Sequence, residues 1–307
     1  MTSGRPVRIA ILGARGIGLV HSRIFHELGA KVCAVLGSSE KTAAVAANNL
    51  RESLGIVAKP FFELTRLLAE SLDAISICTP PRLHFAHLMA AFDRGLPVFC
   101  EKPLLWEDEA TCSNVLSKLS TVEEHPNRRL FVNTSNAAFI DAVRDRFPPP
   151  AQVERFSFRF STQGPHRGRN IAVDLMPHGL SLLIRLMGNR MLSSFTDDST
   201  DTRYRCRFSY GDCQVEFDFQ QGHGGPSELA FQVNERELRR IQEGRGSTYR
   251  VYLQDVQVGD NVHVEDPFRT YISEFLRYLE LESTRDHGAE AAENLRLMAQ
   301  VLTPRRE

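Results

Sequence analysis

The 307-residue chain predicts two domains: an α/β, doubly wound parallel sheet over residues 1–134, then an α+β domain with a large open, mostly antiparallel sheet over residues 135–307. Three observations predict it. Short, almost continuously apolar runs alternate with helical patterns through the first part, as in a parallel sheet covered on both faces. Three consecutive prolines, Pro148 to Pro150, mark a change of texture near residues 146–152. Beyond them apolar and polar residues alternate at period two, as in antiparallel strands with one covered face. The length itself exceeds what one ordinary core needs and suits two.

In the first part, VRIAIL (7–12) is a β-rich run, GARGIG follows it, and a helical pattern extends from about Ile17 to Leu28. KVCAVLG (31–37) is a second strand. SEKTAAVAANNLRESLG (39–55) is a helix. Ser39 can accept an orphan N–H at its start, and Gly55 can adopt the left-handed cap that ends it. A short strand near Ile56–Lys59 and a helix near Phe62–Glu70 lead to the strand DAISICT (73–79). PPRLHFAHLMAAFDRG (80–95) is a helix opened by proline and closed by glycine. PVFC (97–100), a helix near Glu107–Leu119 and a strand at Leu130–Asn133 complete the run.

The second part offers QVERFSFRFS (152–161), TRYRCRFSY (202–210), CQVEFDFQ (213–220), ELAFQVN (228–234) and TYRVYLQDVQV (248–258) as strands. YGDC between two of them is a hairpin signal. A helix interrupts them at about Val173–Met187, and two more, Pro267–Glu282 and Ala289–Val301, follow.

Apolar residues at 42% and charged residues at 24% describe an ordinary globular protein, and a net charge of -1 offers no bulk attraction to nucleic acid or a membrane surface. No apolar run approaches the roughly 20 residues of a membrane helix, and MTSGRPVRIAIL lacks the layout of a signal peptide. Six cysteines are scattered without a C-x-x-C pair, which fits reduced thiols in a cytoplasm better than a disulfide framework. The ten histidines form no zinc-ligand spacing, so no metal is expected.

ILGARGIG follows a strand and opens a helix, the context in which a glycine cluster cradles a dinucleotide on a Rossmann-like sheet. Gly13 can make the tight turn. Gly16 and Gly18 can admit a pyrophosphate and let the helix pack close. Arg15 and Ile17 stand at a helix start whose free N–H groups favour an anion. Arg15 departs from the strict G-x-G-x-x-G spacing, and a tight turn without a ligand is the plainer alternative. An acid should end the second strand if it grips the ribose of NAD. Here stand Gly37, Ser38, Ser39, Glu40 and Lys41. Ser38, Ser39 and Lys41, with Arg15, suit the 2′-phosphate of NADP, while NAD stays possible if Glu40 reaches back. VFCEKPLL then brings Glu101 and Lys102 to the end of a buried strand, where such sheets bind ligands, with Pro103 fixing the backbone. Two charges there are costly unless something uses them.

Together with the glycine loop, CTPPRLHFAHLMAAFDRGLPVFCEKPLL resembles the Gfo/Idh/MocA oxidoreductases, the family of glucose–fructose oxidoreductase and inositol dehydrogenase. The strand–TP–helix–strand–EKP run is a hallmark of that family, and the resemblance covers essentially the whole chain. It implies a cis Lys102–Pro103 bond, Glu101 and Lys102 facing the nicotinamide, and Thr79, Pro80 and His84 beside the cofactor. The family's second signature, an Asp and a His four apart on a helix, is matched by Asp174 and His178 in AVDLMPHGLSLLIRLMG. That spacing puts both on one helix face. Read alone, the pair is a surface or capping interaction. Met176 stands where glycine is common, Ser181 where a carboxylate is, and VNTSNAAF lacks a common arginine, which leaves the substrate open. His166, Arg167, Arg169 and Asn170 precede the helix in a Gly/Pro loop, either pocket-lining or surface.

The resemblance implies hydride transfer between NADP or NAD and a hydroxyl or carbonyl of a small polyhydroxylated substrate: a sugar, cyclitol or sugar derivative. His178, of a type that titrates near neutrality, is the expected base. Asp174 is expected to orient it, and Lys102 to hydrogen-bond the reacting oxygen. An NADPH-dependent carbonyl or imine reductase and a cofactor-binding regulator without turnover are the alternatives. The open sheet face, and the pairing common in that family, lead to an expected homodimer or larger homo-oligomer.

Overall fold

A computed structural model of the chain describes residues 5–222, 224–244, 249–281 and 287–303. The chain divides into two compact units, Met1–Asn133 with Phe268–Ala292, and Thr134–Pro267 with Glu293–Glu307.

The first unit holds β1 (Arg8–Leu12), α1 (Ile17–Glu27), β2 (Lys31–Leu36), α2 (Glu40–Leu54), β3 (Lys59–Phe61), α3 (Leu64–Leu67), β4 (Ala74–Ile77), α4 (His84–Asp93), β5 (Val98–Cys100), α5 (Cys112–Glu124) and β6 (Leu130–Val132). The strands form a parallel sheet in the order β3-β2-β1-β4-β5-β6. Strand order reverses between β1 and β4, the point at which doubly wound sheets take their ligands. β4 and β5 are buried at every position, which is why they read as unbroken apolar runs rather than alternating ones. A cluster of phenylalanines closes one side: Phe99 of β5 lies 5.7 Å from Phe131 of β6 and 5.4 Å from Phe275. Phe275 belongs to α8 (Pro267–Leu281), so a helix remote in sequence completes this core. Each buried ring stabilises the fold by about 1.5–3 kcal/mol.

The second unit holds α6 (Ala138–Val143), β7 (Arg155–Thr162), α7 (Asn170–Met187), β8 (Leu192–Ser199), β9 (Arg203–Tyr210), β10 (Cys213–Gln221), β11 (Glu228–Val233), β12 (Arg236–Glu243), β13 (Arg250–Asp255) and β14 (Asn261–Val264); α9 (His287–Leu302) follows. Its sheet runs β14-β13-β12-β11-β7-β10-β9-β8, antiparallel except for the pair β7 and β10. One face presents Phe156, Phe158, Phe217 and Phe219, all fully buried, and α7 packs on it. The approach is close: a Cβ on Gly179 of α7 would stand 2.7 Å from Phe158 and 2.8 Å from Phe217. The opposite face carries cross-strand ion pairs such as Arg159–Glu237 at 2.7 Å and Arg207–Glu216 at 3.2 Å.

Several elements differ from the sequence expectation. β3 starts at Lys59, and α5 starts at Cys112 because Thr111 caps it, its side chain accepting from Asn114 N. α7 starts at Asn170, three residues early. α6, β8, β12 and β14 were not expected. YGDC is the hairpin turn anticipated, with Gly211 at φ 58° between β9 and β10. Thr248 and Glu282, expected in a strand and a helix, lie outside the described residues. No helix among the described residues is long and apolar enough to cross a membrane, and the six cysteines are free.

Candidate active site

The turn from β1 to α1 can only be built with glycine. Gly13 has φ 87°, and a Cβ on it would stand 2.9 Å from Cys78 O. A Cβ on Gly18 would stand 2.0 Å from Gly13 O. Gly16, at φ 54°, is the N-cap of α1, with no side-chain cap and open space where a Cβ would be. Ile17 begins the helix, no acid occupies its first turn, and Arg15 is exposed. Uncapped N–H groups beside empty space form a cradle for an anion.

At the end of β2, a Cβ on Gly37 would stand 2.4 Å from Ala43 N, so α2 packs directly on the strand tip. Ser39 caps α2: its hydroxyl accepts from Thr42 N at 3.2 Å, and Thr42 Oγ1 accepts from Ser39 N at 2.8 Å. That hydroxyl is committed to the helix, whereas Ser38 and Lys41 are exposed.

At the end of β4, Pro80 is exposed, while the Thr79 hydroxyl meets His87 Nδ1 at 3.1 Å. His84 is fully buried, with Nε2 2.7 Å from Thr79 O and Nδ1 3.1 Å from Pro103 O. The ring ties the loop after β4 to the loop after β5. Burial holds His84 below its ordinary pKa, and burial with the nearby His84 pushes His87 down to about 4.

After β5 come Glu101, Lys102 and Pro103, and the Lys102–Pro103 peptide is cis, as the resemblance implies. Lys102 is partly buried and Glu101 is 7% exposed. Glu101 Oε1 pairs with His21 Nε2 at 2.7 Å and accepts from Asn133 Nδ2 at 2.6 Å. On its other side, His21 Nδ1 meets Ser76 Oγ at 2.9 Å and Cys78 Sγ at 3.2 Å. Burial alone would lower the fully enclosed His21; Cys78 and Glu101 outweigh it and push the ring up to about 10. Burial alone would raise Glu101; His21, Asn133 and the Lys102 charge hold it below its ordinary value. The carboxylate beside Lys102 is thus neutralised from within and anchors the strand end that carries the lysine.

The second unit brings Asp174 and His178 together on one face of α7, both partly buried. Asp174 Oδ2 accepts from Gln221 Nε2 at 2.6 Å, and Gln221 Oε1 accepts from His166 N at 3.0 Å. Gln221 is fully buried, so it fastens Asp174 to the loop before α7. The His178 imidazole stands edge-on to Phe160, centroids 5.4 Å apart. Of that loop's cations, Arg167 meets Asp201 at 3.4 Å and Arg169 meets Asp197 at 3.3 Å, while Asn170 begins the helix.

His21, Asn133 and Gln221 were missed from sequence. Gln221 left a signal: in CQVEFDFQQ the inward positions read Cys, Val, Phe, Phe, Gln, and a polar group in the inward phase must have a partner. His21 sits among the buried residues of α1, and only the end of a strand remote in sequence explains it.

Residues 7–133 match the model of the Gfo/Idh/MocA family, described as an oxidoreductase family with an NAD-binding Rossmann fold. By sequence, the chain is 26% identical over 197 residues to inositol 2-dehydrogenase of Cereibacter sphaeroides, a match covering 61% of this chain and 56% of that enzyme. It thus spans little more than half the length of that relative. By structure, it is similar to UDP-N-acetylglucosamine 3-dehydrogenase from Acidithiobacillus ferrooxidans, at TM-score 0.71 and 17% identity, over 97% of this chain and 98% of that one. It is also similar to a 3-ketoreductase from Actinomadura kijaniata, solved as a mutant in complex with TDP-benzene and NADP, at TM-score 0.72 and 15% identity over 97% of both chains. At those identities the likeness is one of fold.

Proposed function

From the family of its first domain, the Gfo/Idh/MocA oxidoreductases, we propose that this chain transfers hydride between a nicotinamide cofactor and a hydroxyl or carbonyl of a small polyhydroxylated molecule: a sugar, cyclitol or sugar derivative. The observation that carries this reading is Lys102, fixed after β5 by a buried, already neutralised Glu101, on the same sheet whose β1–α1 turn is an anion cradle. The cradle fits a dinucleotide: Gly13 and Gly18 cannot carry a Cβ without clashing, Gly16 stands beside open space, and the helix end has no side-chain cap of its own.

When bound, the nicotinamide supplies the acceptor or donor of hydride. Lys102 hydrogen-bonds the reacting oxygen and stabilises negative charge developing on it. His178 takes the hydroxyl proton in oxidation and returns it in reduction. Asp174, held by Gln221, orients the imidazole or a neighbouring substrate hydroxyl. NADP is favoured over NAD because β2 ends without a carboxylate and Ser38, Lys41 and Arg15 are exposed beside it. The chain works as a homodimer or larger homo-oligomer joined through the charged face of the second sheet, which light scattering at low and high salt checks. Six free cysteines suit a reducing cytoplasm. Turnover of a panel of polyols and their ketones with NADP(H) and NAD(H) tests the activity. No turnover of any member with either cofactor sinks it.

A further inference from the structure

Many arginines on the second sheet are matched. Arg159 meets Glu237 at 2.7 Å, Arg207 meets Glu216 at 3.2 Å, Arg236 meets Asp255 at 3.3 Å, and Arg203 is paired with Asp218. Arg240 is not. It stands on β12 two positions after the buried Leu238, which faces Phe231, so it shares the face that carries Phe158 and Phe160. Its Nε is buried without a hydrogen-bond partner, and its Nη2 donates to Ser227 Oγ at 3.3 Å. No carboxylate pairs with it among the described residues. In sequence, residues 245–248 read Arg-Gly-Ser-Thr and hold no acid. Burial holds the guanidinium below the ordinary arginine pKa. A desolvated cation with unused donors destabilises the protein that carries it.

The surroundings give that charge a use. The guanidinium carbon lies 5.5 Å from the centre of the Phe160 ring, and the same ring meets His178 at 5.4 Å. One aromatic ring separates the cation from the proposed base. Ser227 also donates to Ser161 O at 3.0 Å, which ties the serine beneath Arg240 to the end of β7. The neighbouring loop cations Arg167 and Arg169 are engaged with Asp201 and Asp197, whereas the Arg240 charge is left for a ligand.

We propose that Arg240 is a specificity residue that receives an anionic group, carboxylate or phosphate, on the substrate presented to His178. The substrate class is then an acidic or phosphorylated polyol. The role given to His178 rests on the hydride-transfer reading; the anion does not. A planar guanidinium with donors to spare matches either acceptor in a forked geometry.

Calorimetric titration of the full chain with glucuronate, glucose 6-phosphate and glucose, under saturating NADP, tests this in the parent, Arg240→Met and Arg240→Lys. At least one anion should bind more tightly than glucose. Arg240→Met should lose that advantage by about ten- to a hundredfold, and Arg240→Lys should keep part of it. Whichever of glucuronate and glucose 6-phosphate holds the advantage tells carboxylate from phosphate. Without ligand, Arg240→Met should melt at the parent temperature or above it, because it removes an uncompensated buried charge. A parent that binds both anions no better than glucose overturns the proposal. So does a folded Arg240→Met that keeps the anion advantage, or a marked fall in melting temperature for both variants. Failure of the hydride-transfer reading shows separately, as Arg240-dependent anion binding without turnover.

Discussion

The two units treat buried charge in opposite ways. In the first, Glu101 is 7% exposed, meets the fully buried His21 at 2.7 Å, and takes a further hydrogen bond from Asn133. The carboxylate next to Lys102 is answered from within the fold. In the second, Asp174 and His178 are partly exposed, and Arg240 stands without a carboxylate one aromatic ring away. The contrast separates two tasks. The groups that hold the strand end carrying Lys102 belong to the core and are bound to its stability. In the second unit it is Arg240 whose Nε is buried without a hydrogen-bond partner, the kind of group that a ligand completes.

The sharpest way to break this division is to remove one group from each side. Lys102→Ala and His178→Ala should each lower turnover by about 10²–10⁴-fold with cofactor affinity nearly unchanged. Lys102→Ala should suffer at least as much, since it loses both the charge on the oxygen and part of the proton path. The two residues belong to different units, so the double variant carries the most information. Groups acting on one substrate give a double variant far less impaired than the product of the single losses. Multiplicative losses mean that they act in separate steps. Parent rates in both single variants end the catalytic assignment.

The second test asks whether His21 belongs to stability, as the comparison requires. Removing one partner of a buried ion pair costs about 3–5 kcal/mol, so His21→Gln should melt well below the parent near pH 6. The pH dependence carries a definite sign. The folded ring is raised from an ordinary 6.5 to about 10, so its contribution is complete below pH 6.5 and fades as pH rises towards 10. The gap between parent and His21→Gln in denaturant melts should narrow across that window. A gap that stays constant from pH 6 to 9.5 means that the pair is not ionised in the folded protein.

Sequence reasoning reached the first unit more fully than the second, and the reason is burial. β1, β2, β4, β5 and β6 are covered on both faces and announce themselves as apolar runs whatever surrounds them. β12 was missed because RELRRIQE puts charge on its outer face and arginines at two of its inner positions, leaving Leu238 as the one buried anchor. β8, LSSFTDDS, has no buried position at all; β9 recruits it as an edge strand, and only tertiary pairing makes it a strand. The glycine turn, the Lys102 strand end and the Asp174/His178 spacing were visible because each depends on neighbours in sequence. Glu101 with His21, Asp174 with Gln221, and Arg240 with Phe160 join residues about 50 to 80 positions apart, and no local pattern records them.

The smallest expected effect tests the cofactor end of the first unit. Ser39 looks the better target because it lies nearer the helix, but its hydroxyl caps α2, and losing a cap costs about 0.5–2 kcal/mol of stability. Ser38 carries no such duty beyond a 3.3 Å contact with Thr42 Oγ1, so Ser38→Asp changes charge at the strand tip while leaving the cap in place. The site is exposed, and opposed or like charges there are worth only about 0.2–1 kcal/mol. The substitution should therefore weaken NADP(H) by no more than about fivefold, improve NAD(H) modestly through the ribose hydroxyls, and lose most of its effect at high salt. Nicotinamide fluorescence titration at two ionic strengths reads all three. If the parent already binds NAD(H) as tightly as NADP(H), the absent carboxylate at the end of β2 does not select the phosphate, and Glu40 becomes the residue to vary next.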